Sequence, residues 1–313
     1  MQLLNIQPGC YQGQADPFIL KSGGRYYIYV TGHDAIYAYQ SDQLLEGWQY
    51  YGPVLSVPGL KAFWAPSVIE LDGKFYMYNS MEGSGVVPDQ GGHDGAMHVS
   101  VADSPLGPFR MVKRILPPFS IDSHMVQTES GLFLFYSSNR FEGERIGTCI
   151  YVDKMLDPLT PAGHPVLVVE PTMDEDIYWE DRYQKGQHWH TIEGAFYFRE
   201  GDWQYLMYSG NCFEKPTYYI GYARAKSNET DLTKVKFEKY PDDHTYHPVL
   251  RANEYEEGTG HHSMIKENDQ WYAVYHARDY DSGDNAFDAR NARICKIMVE
   301  DGVITAQRYP DKI

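Results

Sequence analysis

Apolar residues in this chain fall in short runs separated by turn residues. Five of these runs are built almost wholly from Tyr, Phe, Trp and aliphatic side chains: 26–30, 75–78, 132–136, 203–208 and 271–275. A strand with one wet face alternates apolar and polar positions, so runs that are apolar nearly throughout predict strands covered on both faces. Each run follows a turn, at Gly23 and Gly24, at Asp72 and Gly73, at Gly131, at Gly201, and at Asn268 and Asp269. Before each turn stands a short apolar strand opened by a small motif, at Asp16, Trp64, Asp122, Glu193 and His261. The motifs lie 48, 58, 71 and 68 residues apart, bracketing the ~40–50 residues of a four-stranded propeller blade with its loops. This repeat predicts an all-β fold, a five-bladed β-propeller, as one domain over residues 1–313. A two-sheet sandwich would not need its motifs at a near-constant distance from the following turn. Further strands are predicted at 97–101, ahead of a turn at 104–109, and at 218–222, and helical periodicity is nearly absent.

Composition agrees with that reading. Aromatic residues make up 15% of the chain, with 28 Gly and 18 Pro, and aromatic rings suit pleated surfaces while Gly and Pro supply turns. Lys and Arg total 27 against 43 Asp and Glu, a formal charge of −16, which repels phosphate backbones and anionic headgroups. No nucleic-acid or membrane partner is expected, polyanionic sugars are disfavoured, and neutral sugars are left. Cys10, Cys149, Cys212 and Cys295 stand singly and read as reduced thiols. The N-terminus has neither a basic segment nor an apolar stretch of leader length, and no run approaches the ~20 apolar residues of a membrane span. The expected location is cytoplasmic, although a secreted chain trimmed of its leader would read the same.

Two insertions interrupt the repeat. Residues 82–95 hold five glycines and read as a mobile loop. Residues 170–190 carry Asp174, Glu175, Asp176, Trp179 and Trp189, with His188 and His190, just ahead of the fourth motif. Long loops in compact domains are usually functional, so this second insertion is a candidate substrate wall. His188, His190 and Cys212 lack a matched fourth ligand for zinc.

In a propeller the innermost strands open on the central channel, so residues at equivalent starts converge. Three of the five motifs supply acids: Asp16, Asp122 and Glu193. Gathered carboxylates cannot all ionise freely, and their repulsion leaves one group protonated near neutrality beside another that is not. That is what glycoside hydrolysis requires, and an inverting enzyme needs its two working carboxyls ~6.5–9.5 Å apart.

The motifs together resemble glycoside hydrolase family 43: Ala15-Asp16-Pro17-Phe18, Trp64-Ala65-Pro66, Ile121-Asp122-Ser123-His124, Ile192-Glu193-Gly194-Ala195 and Gly258-Thr259-Gly260-His261. The resemblance spans essentially the whole chain. It implies a five-bladed propeller and an inverting hydrolase, with Asp16 as general base and Glu193 as general acid. Asp122 would be the third carboxylate, which raises the acid's pKa and holds it in place. Trp64 would wall the sugar pocket, since an indole face suits the C–H face of a sugar. Arg290 would hydrogen-bond the sugar, and Arg293 is the competing choice. His261 would point into the channel. Family members often hold a cation or a water cluster at this histidine, so His261 is the candidate metal ligand and Ca²⁺ the candidate ion. The chemistry requires no cofactor.

Family relatives act mainly on arabinose- and xylose-containing polysaccharides, which implies a neutral arabinose- or xylose-containing oligosaccharide as the substrate partner. The β-xylosidases of the family carry a C-terminal β-sandwich, whereas here the fifth repeat is followed only by residues 294–299, a turn at Gly302 and a short tail. The expected activity is therefore an exo-acting α-L-arabinofuranosidase that removes terminal arabinose from α-1,5-linked oligosaccharides. A β-xylosidase or endo-arabinanase is the alternative within the family, and a sugar-binding propeller is the non-enzyme alternative.

Overall fold

The computed structural model describes residues 2–4, 13–83, 93–281 and 290–308. Its strands group in chain order into five antiparallel units, consistent with the predicted five blades, and the third and fourth units join into one sheet through a short parallel pairing of Gly147 and Thr148 with His190 and Thr191. The first comprises β1 (Phe18–Ser22), β2 (Arg25–Val30), β3 (Ile36–Ser41) and β4 (Gln49–Leu55). The second comprises β5 (Lys61–Leu71), β6 (Lys74–Glu82), β7 (Ala96–Ala102) and β8 (Arg110–Pro118). In the third, β9 (Ser120–Thr128), β10 (Gly131–Arg140) and β11 (Gly147–Asp157) are completed by the short β12 (Thr160–Pro161) and β13 (Val166–Val169). A 3₁₀ turn at Asp174–Asp176 leads to β14 (Ile177–Trp179) and then to the fourth sheet. That sheet is β15 (Trp189–Glu200), β16 (Trp203–Gly210), β17 (Tyr219–Lys226) and β18 (Glu238–Lys239). The fifth is β19 (Glu256–Glu267), β20 (Gln270–Asp279), β21 (Asn291–Glu300) and β22 (Val303–Arg308).

The apolar runs are the second strands of these sheets, and they are buried on both faces, as their lack of alternation requires. Each core lies between two neighbouring sheets. Tyr29 and Ile36 pack with Phe63 and Met77; Tyr78 and Met97 with Leu134 and Tyr136; Phe133 and Val152 with Leu206 and Tyr219. Tyr205 and Met207 pack with Tyr275 and Cys295, and Ile28 and Tyr39 with Val274 and Ile294. The last of these contacts packs the fifth sheet against the first, so the ring closes. The N-terminal segment adds to the closure, because Leu3 N donates to Ala292 O at 2.8 Å and Gln14 N to Arg290 O at 2.6 Å. Cys149, Cys212 and Cys295 are free and buried, as expected of reduced thiols. Cys10 and the glycine-rich stretch 84–92 lie outside the described residues. No helix among those residues is long and apolar enough to cross a membrane.

The five motifs share a backbone device. Asp16, Ala65, Asp122, Gly194 and His261 all have positive φ, between 42° and 64°. In the sheets that carry Trp64, Asp122, Glu193 and His261 the pairing register shifts at this point. A bulge re-aims side chains, and here it turns the strand openings toward the ring's axis. The left-handed conformation strains a residue other than Gly, though Asp and Asn tolerate it best. Beyond the bulges the axis is filled by rings, with His124 stacked on Phe196 at 4.1 Å between Phe18 and His262.

Candidate active site

At the axis the structure brings together the three motif acids with Trp64, His261 and Arg290. A cleft of about 380 Å³ is lined by Asp16, Trp64, Asp122, Glu193, His261 and Arg290. Asp16 lies two residues ahead of β1. Its Oδ2 accepts the Thr31 hydroxyl at 2.5 Å, and Arg290 stands 3.6 Å from Oδ1. His276 Nδ1 lies 3.1 Å from the Asp16 backbone nitrogen and 3.2 Å from Asp16 Oδ1, within hydrogen-bond reach of both. Burial alone would raise the Asp16 carboxyl, but His261, His276 and Arg290 outweigh it and hold the group well below the usual carboxylate range. Burial also drives both histidines toward their neutral forms, His276 down to about 4. Arg290 is the permanent cation among these three neighbours of Asp16.

Glu193 and Asp122 are pushed in the opposite direction. Burial, and then the charge of Asp16, lifts Glu193 to about 7, although the Tyr218 hydroxyl that donates to its Oε1 at 2.8 Å pulls the other way. Asp122 is raised well above the usual range by burial and by the charges of Glu193 and Asp16. Its Oδ2 accepts the Gly194 N–H at 3.2 Å, which ties it to the backbone beside Glu193. The two form a coupled pair in which the ionisation of one opposes that of the other. His261 Nδ1 lies between the first and third motifs, 3.5 Å from Asp16 Oδ1 and 3.9 Å from Asp122 Oδ1.

The two candidate arginines separate cleanly. Arg290 lines the cleft and lies over the Phe213 ring at 4.1 Å, and among the described residues its buried Nε has no acceptor. Arg293 is 1% exposed and is spent on Glu256, at 3.4 Å, and on Asp279, a structural ion-pair cluster. Trp64 is half-buried with its ring edge-on to His93 at 5.1 Å, which fits a pocket wall.

The candidate Ca²⁺ site finds no ligand set. His261 and His276 both face Asp16, yet no group of three or more His, Cys, Asp or Glu among the described residues is arranged to hold a metal. His190 is engaged with Ile146 O and Arg145, and His188 Nδ1 accepts the Asp181 N–H, so neither forms a zinc site with Cys212.

Several lining residues were not singled out in the sequence. Tyr218 is buried against His276, with ring planes 17° apart, and Phe213 lies under Arg290. Phe213 is positioned by Arg278, whose guanidinium donates to Phe213 O at 2.9 Å and pairs with Glu257 at 2.9 Å. The insertion 170–190 is a wall, as expected, and Tyr178, Arg182 and Trp189 line the cleft.

The chain is similar to known proteins in sequence and in fold. Glycosyl hydrolases family 43 matches residues 7–304. An extracellular exo-α-(1→5)-L-arabinofuranosidase of Streptomyces avermitilis is 26% identical over 80% of this chain. The match covers 53% of that protein, so the chain spans about half the length of this relative. The crystal structure of a thermostable family-43 glycoside hydrolase superimposes with a TM-score of 0.77 at 28% identity, covering 96% of each chain. That of an α-L-arabinofuranosidase from Lactobacillus brevis gives 0.77 at 20% identity, covering 100% of this chain and 98% of the other, a likeness of fold.

Proposed function

The chain belongs to glycosyl hydrolases family 43, and from that premise we propose that it is an inverting glycoside hydrolase that removes terminal α-L-arabinofuranosyl units from arabino-oligosaccharides. One observation carries the reading. In a single cleft, one carboxyl, Asp16, is held low by His261, His276 and Arg290 while another, Glu193, is raised to about 7. Titratable groups pushed apart in this way are assigned as base and acid. Asp16, ionised, takes a proton from water as the water attacks the anomeric carbon from the face opposite the leaving group. Glu193, protonated, gives its proton to the departing oxygen. Asp122 opposes the loss of that proton and fixes the backbone at Gly194. Arg290 and Trp64 hold the sugar, the first through hydroxyl hydrogen bonds and the second by stacking. The pair of carboxyls completes the reaction without a cofactor.

The preference for arabinose is supported by the exo-acting arabinofuranosidase relative, which matches 80% of this chain. The test is the product profile from α-1,5-arabino- and β-1,4-xylo-oligosaccharides, with proton NMR of the first-formed anomer. Free arabinose released as the inverted β-anomer is expected. Faster release of xylose would assign a β-xylosidase, internal cleavage an endo-arabinanase, and binding without hydrolysis a sugar-binding propeller. A retained anomer would overturn the mechanism.

A further inference from the structure

The insertion ahead of the fourth sheet builds more than a wall. β14 pairs with the start of β15 so that Trp179 lies opposite Trp189. Between and beyond them sits Arg182, whose guanidinium carbon is 4.4 Å from the Trp189 ring centroid, 5.2 Å from that of Trp179 and 5.3 Å from that of Tyr183. Phe141, in the turn between β10 and β11, closes the group at 5.4 Å from Trp189 and 6.5 Å from Tyr183. Arg182 and Trp189 line the cleft, so the cluster is continuous with it, while Phe141 is 57% and Trp179 38% exposed.

The segment is anchored at its start. Asp176, fully buried, accepts the Tyr219 hydroxyl at 2.6 Å and the N–H groups of Thr172 and Met173 at 3.0 and 3.1 Å, with Lys239 3.7 Å away. Preorganised aromatic faces bind without a cost for ordering them.

We propose that Phe141, Trp179 and Tyr183, braced by Arg182, form a second carbohydrate site that takes neutral sugar units on the leaving side of the scissile bond. The side follows from the strand: β15 carries Trp189 at its start and Glu193 four residues on, and Glu193 faces the leaving oxygen in the reading above, on which this proposal rests. The ligand class follows from the chemistry. Flat rings suit the C–H faces of sugars, and a guanidinium already stacked on indole offers its edge to hydroxyls. The exposed acids Glu180 and Asp181 flank the cluster and disfavour a uronate.

The test uses the full chain carrying Glu193→Gln, so that ligands bind without turnover, titrated calorimetrically with arabinose, arabinobiose and arabinotriose and with the matching xylose series. Affinity is expected to rise with chain length. Adding Trp179→Ala or Phe141→Ala should weaken the trisaccharide ~10-fold or more, a loss of about 1.4 kcal/mol, and leave the monosaccharide unchanged. Both side chains are exposed, and melting curves matched to the parent exclude a folding defect. The same length dependence in the xylose series alone, removed by the same variants, keeps the second site and overturns the arabinose reading. Affinity that does not rise with length, or a rise that survives both variants, overturns the second site.

Discussion

The hydroxyl of Tyr218 donates to Glu193 Oε1 at 2.8 Å, from a tyrosine buried against the ring of His276. This bond favours the ionised carboxylate, so it lowers the pKa that burial raises. In Tyr218→Phe the carboxylate loses that donor, and its pKa should rise. Glu193 works in its protonated form, so activity falls as pH rises through that pKa, and the alkaline limb of kcat/KM should move to higher pH. A hydrogen bond to a charged group contributes about 1.5–3 kcal/mol, which corresponds to roughly one to two pH units. The pH profile of the variant checks it, and an unmoved limb would separate Tyr218 from the acid.

The proposed division of labour between Asp16 and Glu193 predicts different leaving-group sensitivities. Asp16→Asn should lose about 10²–10⁴-fold in turnover on every substrate, because water always needs its base. Glu193→Gln should lose as much on an oligosaccharide but much less on a 2,4-dinitrophenyl arabinofuranoside, whose leaving oxygen departs without a proton. Steady-state kinetics on the two substrates decides it. A Glu193 variant equally impaired on both would not be missing its acid.

The strands were legible because burial on both faces leaves an uninterrupted apolar run, a local signal. Asp16, Asp122 and Glu193 were legible because each opens a repeat. The bulge was less so: the left-handed residue is Asp16, Asp122 or His261 itself, but Ala65 and Gly194 rather than Trp64 and Glu193. Equating the motifs one to one therefore misaligned two of them by a residue, since both residues of a bulge are displaced and either can carry the functional side chain. Tyr218 was read only as part of a strand at 218–222, yet it lies just ahead of β17, which begins at Tyr219. Nothing local distinguishes it from the other buried tyrosines, and its function comes from meeting Glu193, 25 residues away in the chain. Arg182 was hidden in the same way, because its ring partners are brought around it only by the pairing of β14 with β15.

Arg290 and Arg293 were indistinguishable in sequence, and their contacts predict opposite failures. Arg293→Ala breaks a buried ion pair with Glu256, which keeps Arg308 at 3.2 Å, so the loss should fall below the about 3–5 kcal/mol of a buried charge left wholly unpaired. Denaturant unfolding should show that loss. Arg290→Met should leave stability nearly intact, raise KM, and free Asp16 from its permanent positive neighbour. The Asp16 pKa then rises, and because the base works ionised, the acidic limb of the rate profile should move to higher pH. Near-normal KM with an unmoved acidic limb would remove Arg290 from the site.

The coupling of Asp122 with Glu193 gives the last prediction its sign. Two buried carboxyls tied through the Gly194 N–H lose their protons in two steps that belong to the pair, and the second step is opposed by the charge left by the first. The reaction needs that last proton whichever carboxyl holds it at a given moment. Asp122→Asn keeps an oxygen to accept the Gly194 N–H but leaves one ionisable group of the pair, so the charge of Asp122 no longer resists its ionisation and that of Asp16 alone remains. The alkaline limb should therefore move to lower pH, opposite to its movement in Tyr218→Phe. Asp122→Ala, which also removes the acceptor for Gly194, should lower kcat further at the pH optimum. Profiles of both variants measured beside the parent test the argument: an alkaline limb that stays in place in Asp122→Asn would show that Asp122 and Glu193 titrate independently.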